Sequence, residues 1–158
     1  MRDYPKPEIQ DGGSMDCSYF ATAYIAKLFW HDVTWERVKE WAKDKRRANL
    51  YLQEVCKISL AWDHYDGGRS SRSIAYSQYP GFRKWVEAFI EHGCIGYAST
   101  HIISNYGHAV VILECDADGV LLADSCRGLV KISWEEFIKP LPNCNSHVEA
   151  WYLCGDAK

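Results

Sequence analysis

Cys17 lies where the sequence changes from a loop to an apolar helix. Residues 11–14 (DGGS) have the composition of a turn, and the run from Tyr19 to about Trp30 is too apolar all round for a solvated helix. Asp16 is a candidate N-cap for this helix. Backbone amides at a helix N-terminus favour a thiolate over a thiol. Cys17 is therefore the candidate nucleophile among the seven cysteines.

A nucleophilic thiol requires a base, and His108 is the candidate for it. His108 lies at the start of the predicted strand 107–115, directly after Gly107, and a second predicted strand, 119–124, ends at Asp124. The four residues between them, DADG (116–119), have the composition of a hairpin turn. With a turn near 117–118 the two strands are neighbours, and we expect the Asp124 carboxylate to orient the His108 imidazole.

These residues together resemble a known family. Gln10, Asp16-Cys17, residues 107–111 (GHAVV) and residues 122–124 (LAD) are similar to the C39-like branch of the papain-like cysteine peptidases. In that branch a Gln precedes an Asp-Cys at a helix start, a His heads a strand and an Asp ends the next strand. Residues 133–137 (SWEEF) resemble the segment that follows the Asp. The resemblance runs from Gln10 to about Cys154 and leaves residues 31–80 without a motif.

The resemblance implies a role for each matching residue. Cys17 would be the nucleophile, and His108 would be the general base and acid. Asp124 would orient His108, and the Gln10 side chain would be the oxyanion donor beside the Cys17 backbone amide. No cofactor and no metal ion is implied.

Three positions depart from the family pattern. Ser18 stands where glycine usually follows the Cys, and Ser125 stands where proline often follows the Asp. The interval from Gln10 to Cys17 is seven residues, one longer than the usual interval. The last departure concerns the proposed oxyanion donor most directly, because an extra loop residue changes where its side chain points.

A Cys-His-Asp site performs acyl transfer. The thiolate attacks a carbonyl carbon, prearranged donors hold the oxyanion, and the imidazole protonates the leaving amine. Hydrolysis of a peptide or isopeptide bond, glutamine deamidation and transglutamination share these steps. The resemblance favours a peptidase acting on a protein or peptide substrate, with a deamidase or transglutaminase-type effector as the alternative. A catalytically silent papain-like module that binds peptides is the hypothesis from another class.

Further predicted elements position these groups. Thr34 is a candidate N-cap for a helix with Trp35 and Val38 on its apolar face, and residues 82–90 form an amphipathic helix that stops at Gly93. Residues 63–81 have the composition of a long binding loop. Short strands are predicted at 94–100, 107–115, 119–124, 129–133 and 149–154, with Ser133 capping a helical turn after the fourth.

The order of these elements predicts one α+β domain over residues 1–158. We expect an N-terminal helical lobe whose nucleophile helix packs against a small C-terminal antiparallel sheet, and the resemblance implies the papain-like fold. The composition, 158 residues with 47% hydrophobic and 25% charged, is typical of one globular domain.

Composition and charge argue against several classes of function. The formal charge of −3 gives the chain no net positive charge with which to bind nucleic acid. No run approaches the ~20 apolar residues of a membrane span. The cysteines form no Cys-x-x-Cys pair, which argues against structural zinc. The first ten residues contain no secretory signal, so the cytoplasm is the expected location, although an effector exported without a cleaved signal would look the same. The oligomeric state stays open.

Overall fold

The computed structural model describes residues 3–12, 14–43, 47–62, 81–100, 108–138 and 147–152. Within these residues most of the helices come first in the chain and most of the strands follow, as predicted for an α+β domain. The elements, in chain order, are α1 (Cys17–Leu28), α2 (Trp35–Ala42), α3 (Leu50–Glu54), β1 (Leu60–Trp62), α4 (Phe82–Glu91), β2 (Cys94–Thr100), β3 (His108–Cys115), β4 (Gly119–Asp124), β5 (Gly128–Ser133), α5 (Trp134–Phe137) and β6 (His147–Tyr152).

The starts of the first two helices differ in how they are capped. Thr34 caps α2 as predicted, because its Oγ1 accepts from the backbone N–H of Arg37 at 3.3 Å. Asp16 occupies the N-cap position of α1, but its side chain makes no capping hydrogen bond. Its carboxylate lies instead 3.1 Å from Lys39 Nζ on α2. The predicted capping contact of Asp16 is therefore wrong, and the residue links the two helices.

The strands form one antiparallel sheet in the order β1-β6-β2-β3-β4-β5. The five predicted strands are confirmed, with β6 beginning two residues before its predicted start at 149. Neither α3 nor β1 was predicted from the sequence. The predicted loop 63–81 lies outside the described residues except Gly81, whose positive φ of 75° precedes α4 and suits glycine.

Helices cover both faces of the sheet. On one face α1 packs on the central strands, and α2 and α3 pack against α1, in a core that includes Ile25, Leu52 and Val111. On the other face α4 and α5 form a second core that includes Phe89 and Ile112. The predicted contact of the nucleophile helix with the sheet is present, but the helices do not form a single lobe beside it.

A β-bulge interrupts the pairing of β3 with β4. The predicted turn is present, since Asp116 Oδ1 accepts from the backbone N–H groups of Asp118 at 2.8 Å and Gly119 at 3.1 Å. From the turn the register is regular, and it then shifts between Ile112 and Glu114. The intervening Leu113 is the extra residue.

The length of the helices also bears on membrane insertion. Across the described ranges, no helix is both long enough and apolar enough to cross a membrane.

Candidate active site

Cys17 is the first residue of α1 and is half-buried against β3. The backbone N–H of Ala109 donates to Cys17 Sγ at 3.4 Å, and the side chain of the preceding residue, His108, lies close enough to the sulfur to lower the pKa of the thiol. Packing of α1 on β3 buries Ala23 and Ala109 in the same core. The helix that carries the thiol and the strand that carries the imidazole are thus held in direct contact.

His108 is the first residue of β3, and its imidazole lies between the thiol and Asp124. His108 Nε2 is 2.8 Å from Asp124 Oδ1, and the two residues are 6% and 0% exposed. An imidazole has two nitrogens, so a bond from Nε2 to the carboxylate leaves Nδ1 for the Cys17 sulfur. The structure therefore brings together Cys17, His108 and Asp124 in the order that the sequence predicted.

The Asp124 carboxylate is buried, and each of its oxygens has a partner. Oδ1 accepts from His108 and also from the backbone N–H of Cys126 at 2.8 Å. Oδ2 accepts from Arg127 Nε at 3.2 Å. Sequence reasoning missed Arg127, although its position three residues after Asp124 in a turn (DSCRG) was a signal that could have found it.

The protonation of the pair follows from these contacts. Burial raises the pKa of Cys17, but hydrogen bonds from His108 and Ala109 and the charge of His108 outweigh it and hold the pKa below its usual value. Burial lowers the pKa of His108, but hydrogen bonds with Asp124 and Cys17 raise it to about 9. Burial raises the pKa of Asp124, and its bond with His108 reverses that effect and lowers it. These shifts favour the pair of a thiolate and an imidazolium over the uncharged pair.

The pKa values of the other described cysteines shift in the opposite direction to that of Cys17. Burial raises the pKa of Cys56, Cys94 and Cys115 to about 11. Burial and the negative charge of Asp124 also raise the pKa of Cys126, although this residue is exposed. Of the five cysteines whose surroundings the structure describes, Cys17 alone has a lowered pKa. The local electrostatics therefore single out the same cysteine as the sequence.

Gln10 is buried between the loop before Cys17 and the turn after Asp124, with 8% of its surface exposed. Its Nε2 donates to the carbonyl oxygen of Ser14 at 3.1 Å and to Ser14 Oγ at 3.0 Å. Its Oε1 accepts from the hydroxyl of Ser125. The side chain is thus held close to both parts of the site, with its N–H donors directed at Ser14 in the unliganded protein.

A cavity of about 220 Å³ adjoins the start of α1. The rings of Phe20 and Trp35, stacked with centroids 4.7 Å apart, form its apolar wall. Three carboxylates lie in the rest of the lining, and Ser14 and Asp16 from this lining precede Cys17 in the chain. Cys17 itself does not line the cavity. The full lining is Glu8, Ile9, Asp11, Ser14, Asp16, Phe20 and Trp35.

His108, Asp124 and Cys126 also form a set of possible metal ligands. One donor atom from each lies within 4.8 Å of the other two. The imidazole nitrogen and the carboxylate that would bind the ion are the groups that already bond each other at 2.8 Å. An ion bound by this nitrogen and this carboxylate would compete with the His108–Asp124 hydrogen bond.

Comparison with known proteins adds no family to this description. No family model matches the chain, and no match is found among the curated proteins.

Proposed function

We propose that this protein is a cysteine-dependent acyl-transfer hydrolase with a papain-like fold, a peptidase that cleaves a peptide or isopeptide bond. Cys17 is the nucleophile, His108 the general base and acid, and Asp124 the residue that orients the imidazole. The observation that carries the proposal is the chain of contacts from the Cys17 sulfur through the His108 ring to Asp124 Oδ1.

The contacts support each step of the reaction. The thiolate of Cys17 attacks the carbonyl carbon of the substrate, and the S–C bond forms as the carbonyl π electrons move to oxygen. The protonated His108 then gives its proton to the leaving amine as the C–N bond breaks. In the second half water attacks the thioester while His108 takes a proton from it, the C–S bond breaks with its electron pair on the Cys17 sulfur, and the acid product leaves. The buried Asp124 carboxylate stabilises the imidazolium before the proton transfer to the amine and again after His108 has taken the proton from water.

The charge state of the site supports catalysis over a silent binding module. A module that only binds peptides has no need of a thiol whose pKa is lowered, yet Cys17 has one and carries an imidazole beside it. Perturbed pKa values in a cleft are a general feature of catalytic groups.

A peptide-library assay with the intact protein tests the proposal. The wild-type protein should expose new α-amino groups in the library, and Cys17→Ala should expose none. Release of ammonia without new amino termini would assign the site to glutamine deamidation instead. No reaction with any amide, together with equal labelling of all cysteines by a thiol reagent, would contradict an enzymatic role. Cys115→Ser is the matched control, because it removes a thiol whose pKa is raised.

A further inference from the structure

Ser125 follows Asp124 directly and is buried, with 5% of its surface exposed. Its hydroxyl donates to Oε1 of Gln10. Its backbone carbonyl accepts from the Gln10 N–H at 2.8 Å. One side-chain contact and one main-chain contact therefore join Gln10 to the turn that carries the carboxylate of the site.

The Gln10 amide is held at both ends. The oxygen end of an amide only accepts hydrogen bonds, and its nitrogen end only donates them. The carbonyl of Ser14 can only accept, so Nε2 must face it, as it does at 3.1 Å. Oε1 then faces Ser125, whose hydroxyl donates to it and restrains the amide with its N–H donors towards the loop that leads to Cys17.

We propose that Ser125 is a positioning residue for the oxyanion donor Gln10, an inference that rests on the proposed acyl-transfer function. The hydroxyl of Ser125 holds the amide oxygen, and the amide N–H groups exchange the Ser14 oxygens for the oxyanion when a substrate is attacked. Ser125 touches no reacting atom and acts through Gln10. Because Ser125 restricts the orientations of the amide, less conformational freedom is lost when the N–H groups turn from Ser14 to the oxyanion.

Two reactions of the same thiol separate this role from a structural one. In acetylation by p-nitrophenyl acetate, Cys17 forms an S–C bond at the carbonyl through an oxyanion, and p-nitrophenolate leaves with its electron pair. In alkylation by iodoacetamide, the same sulfur displaces iodide and no oxyanion forms. The ratio of the two rates therefore reports on the oxyanion donors alone.

Ser125→Ala should lower the acetylation rate of Cys17 about fivefold, since one neutral hydrogen bond is worth about 1 kcal/mol, and should leave the alkylation rate unchanged. Ser125→Thr keeps the hydroxyl and should restore most of the acetylation. Gln10→Ala should also slow acetylation, and adding Ser125→Ala to it should cost nothing more, because both act through one amide. Ser133→Ala is the control: it removes a hydroxyl that accepts from Glu136 N–H on α5, and it should change neither rate.

Two results would overturn the inference while acyl transfer stands: wild-type acetylation in Ser125→Ala, or losses from Gln10→Ala and Ser125→Ala that simply add. If wild-type Cys17 is alkylated but never acetylated, the proposed function fails. The side-chain NH₂ resonances of Gln10, identified by their loss in Gln10→Ala, then test the contact directly. They should shift in Ser125→Ala and not in Ser133→Ala, and unchanged resonances in both would overturn the inference.

Discussion

His108 and Asp124 share one face of the sheet because the pairing of β3 with β4 shifts by one residue at Leu113. Side chains alternate between the two faces of a strand, so a shift of one residue moves every later side chain to the other face relative to its partner strand. Beyond the shift, the pair Val111 and Ala123 continues the register towards Asp124. Continued by one pair, this register places Val110 opposite Asp124. His108 lies two residues before Val110 in the strand, so its side chain projects from the same face as Val110 and Asp124.

Without the shift, the His108 and Asp124 side chains would project from opposite faces of the sheet. The turn sets its register with the pair Cys115 and Val120. Continued without interruption, that register would place Val111 opposite Asp124. His108 is three residues from Val111 and would then project from the opposite face. The bulge is thus the feature of the backbone that permits the 2.8 Å contact.

A double-mutant cycle at His108 and Asp124 tests whether the pair acts as a unit. His108→Ala should lower kcat/KM by about 10²- to 10⁴-fold, the usual contribution of a general acid–base group. Asp124→Ala should lower it less, because Asp124 acts only through the imidazole. The double variant should lose little more than His108→Ala alone. Independent, additive losses would show that the two do not cooperate, and His31→Ala, away from these contacts, should leave kcat/KM unchanged.

The sequence predicted that His108 and Asp124 lie on adjacent strands, but it did not predict the register between those strands. Two apolar runs joined by DADG (116–119) specify adjacent strands, and the turn chemistry is visible in the residue types. Leu113 is an ordinary apolar strand residue with no glycine beside it, so nothing in the sequence marks a bulge there. The sequence therefore identified which residues meet, and the backbone irregularity that aligns them required the structure.

The residues of the candidate site also divide into those that the sequence identifies and those that only the structure reveals. Cys17, His108 and Asp124 are recognisable because their types and their positions at element ends carry chemical meaning. Arg127 and Ser125 lie in a turn where charged and hydroxyl residues are ordinary, and their roles depend on tertiary contacts with Asp124 and Gln10. Likewise α3 and β1 lie in a segment with weak periodicity, where packing against the rest of the chain determines the structure.

Selective alkylation of Cys17 is a direct test of its lowered pKa. At neutral pH, iodoacetamide should label Cys17 first, because only the thiolate is nucleophilic. The informative competitor is Cys126, which is exposed but has a raised pKa. Peptide mapping by mass spectrometry gives the rate at each position, and Cys126→Ser should leave the fast phase intact. Faster labelling at Cys126 than at Cys17 would reject the assignment of the nucleophile.

The pH dependence should differ between alkylation and acyl transfer. Alkylation needs only the thiolate, so its rate should stay high as the pH rises above about 9. Acyl transfer also needs a proton on His108, whose pKa is raised to about 9, so kcat/KM should fall as the pH rises through about 9. In His108→Ala the inflection of alkylation should move to higher pH, because burial of Cys17 is then no longer offset by the imidazole. Superimposable profiles for the two reactions would refute the ion pair.

We expect Arg127 to have its largest effect on the stability of the folded protein at acidic pH. It bonds Asp124 Oδ2 at 3.2 Å, and this bond is one of the contacts that lower the Asp124 pKa. A carboxyl group whose pKa is lowered on folding stabilises the protein above its unfolded value of 3.8, and that stability is lost as the pH falls through the folded pKa. Removing Arg127 raises the folded pKa towards 3.8, so Arg127→Ala should reduce this stabilisation and move acid unfolding to higher pH.

The same variant should lower kcat/KM at neutral pH by roughly fivefold, the effect of losing about 1 kcal/mol from a charge-assisted hydrogen bond whose donor is partly exposed. Arg127→Lys keeps the charge without the planar guanidinium and should fall between the wild type and Arg127→Ala. Arg83→Ala is the matched control, because Arg83 bonds Glu87 and the Ala117 carbonyl away from the site. Circular dichroism against pH gives the acid midpoint. A midpoint in Arg127→Ala that matches both Arg83→Ala and the wild type would show that Arg127 does not hold the Asp124 carboxylate.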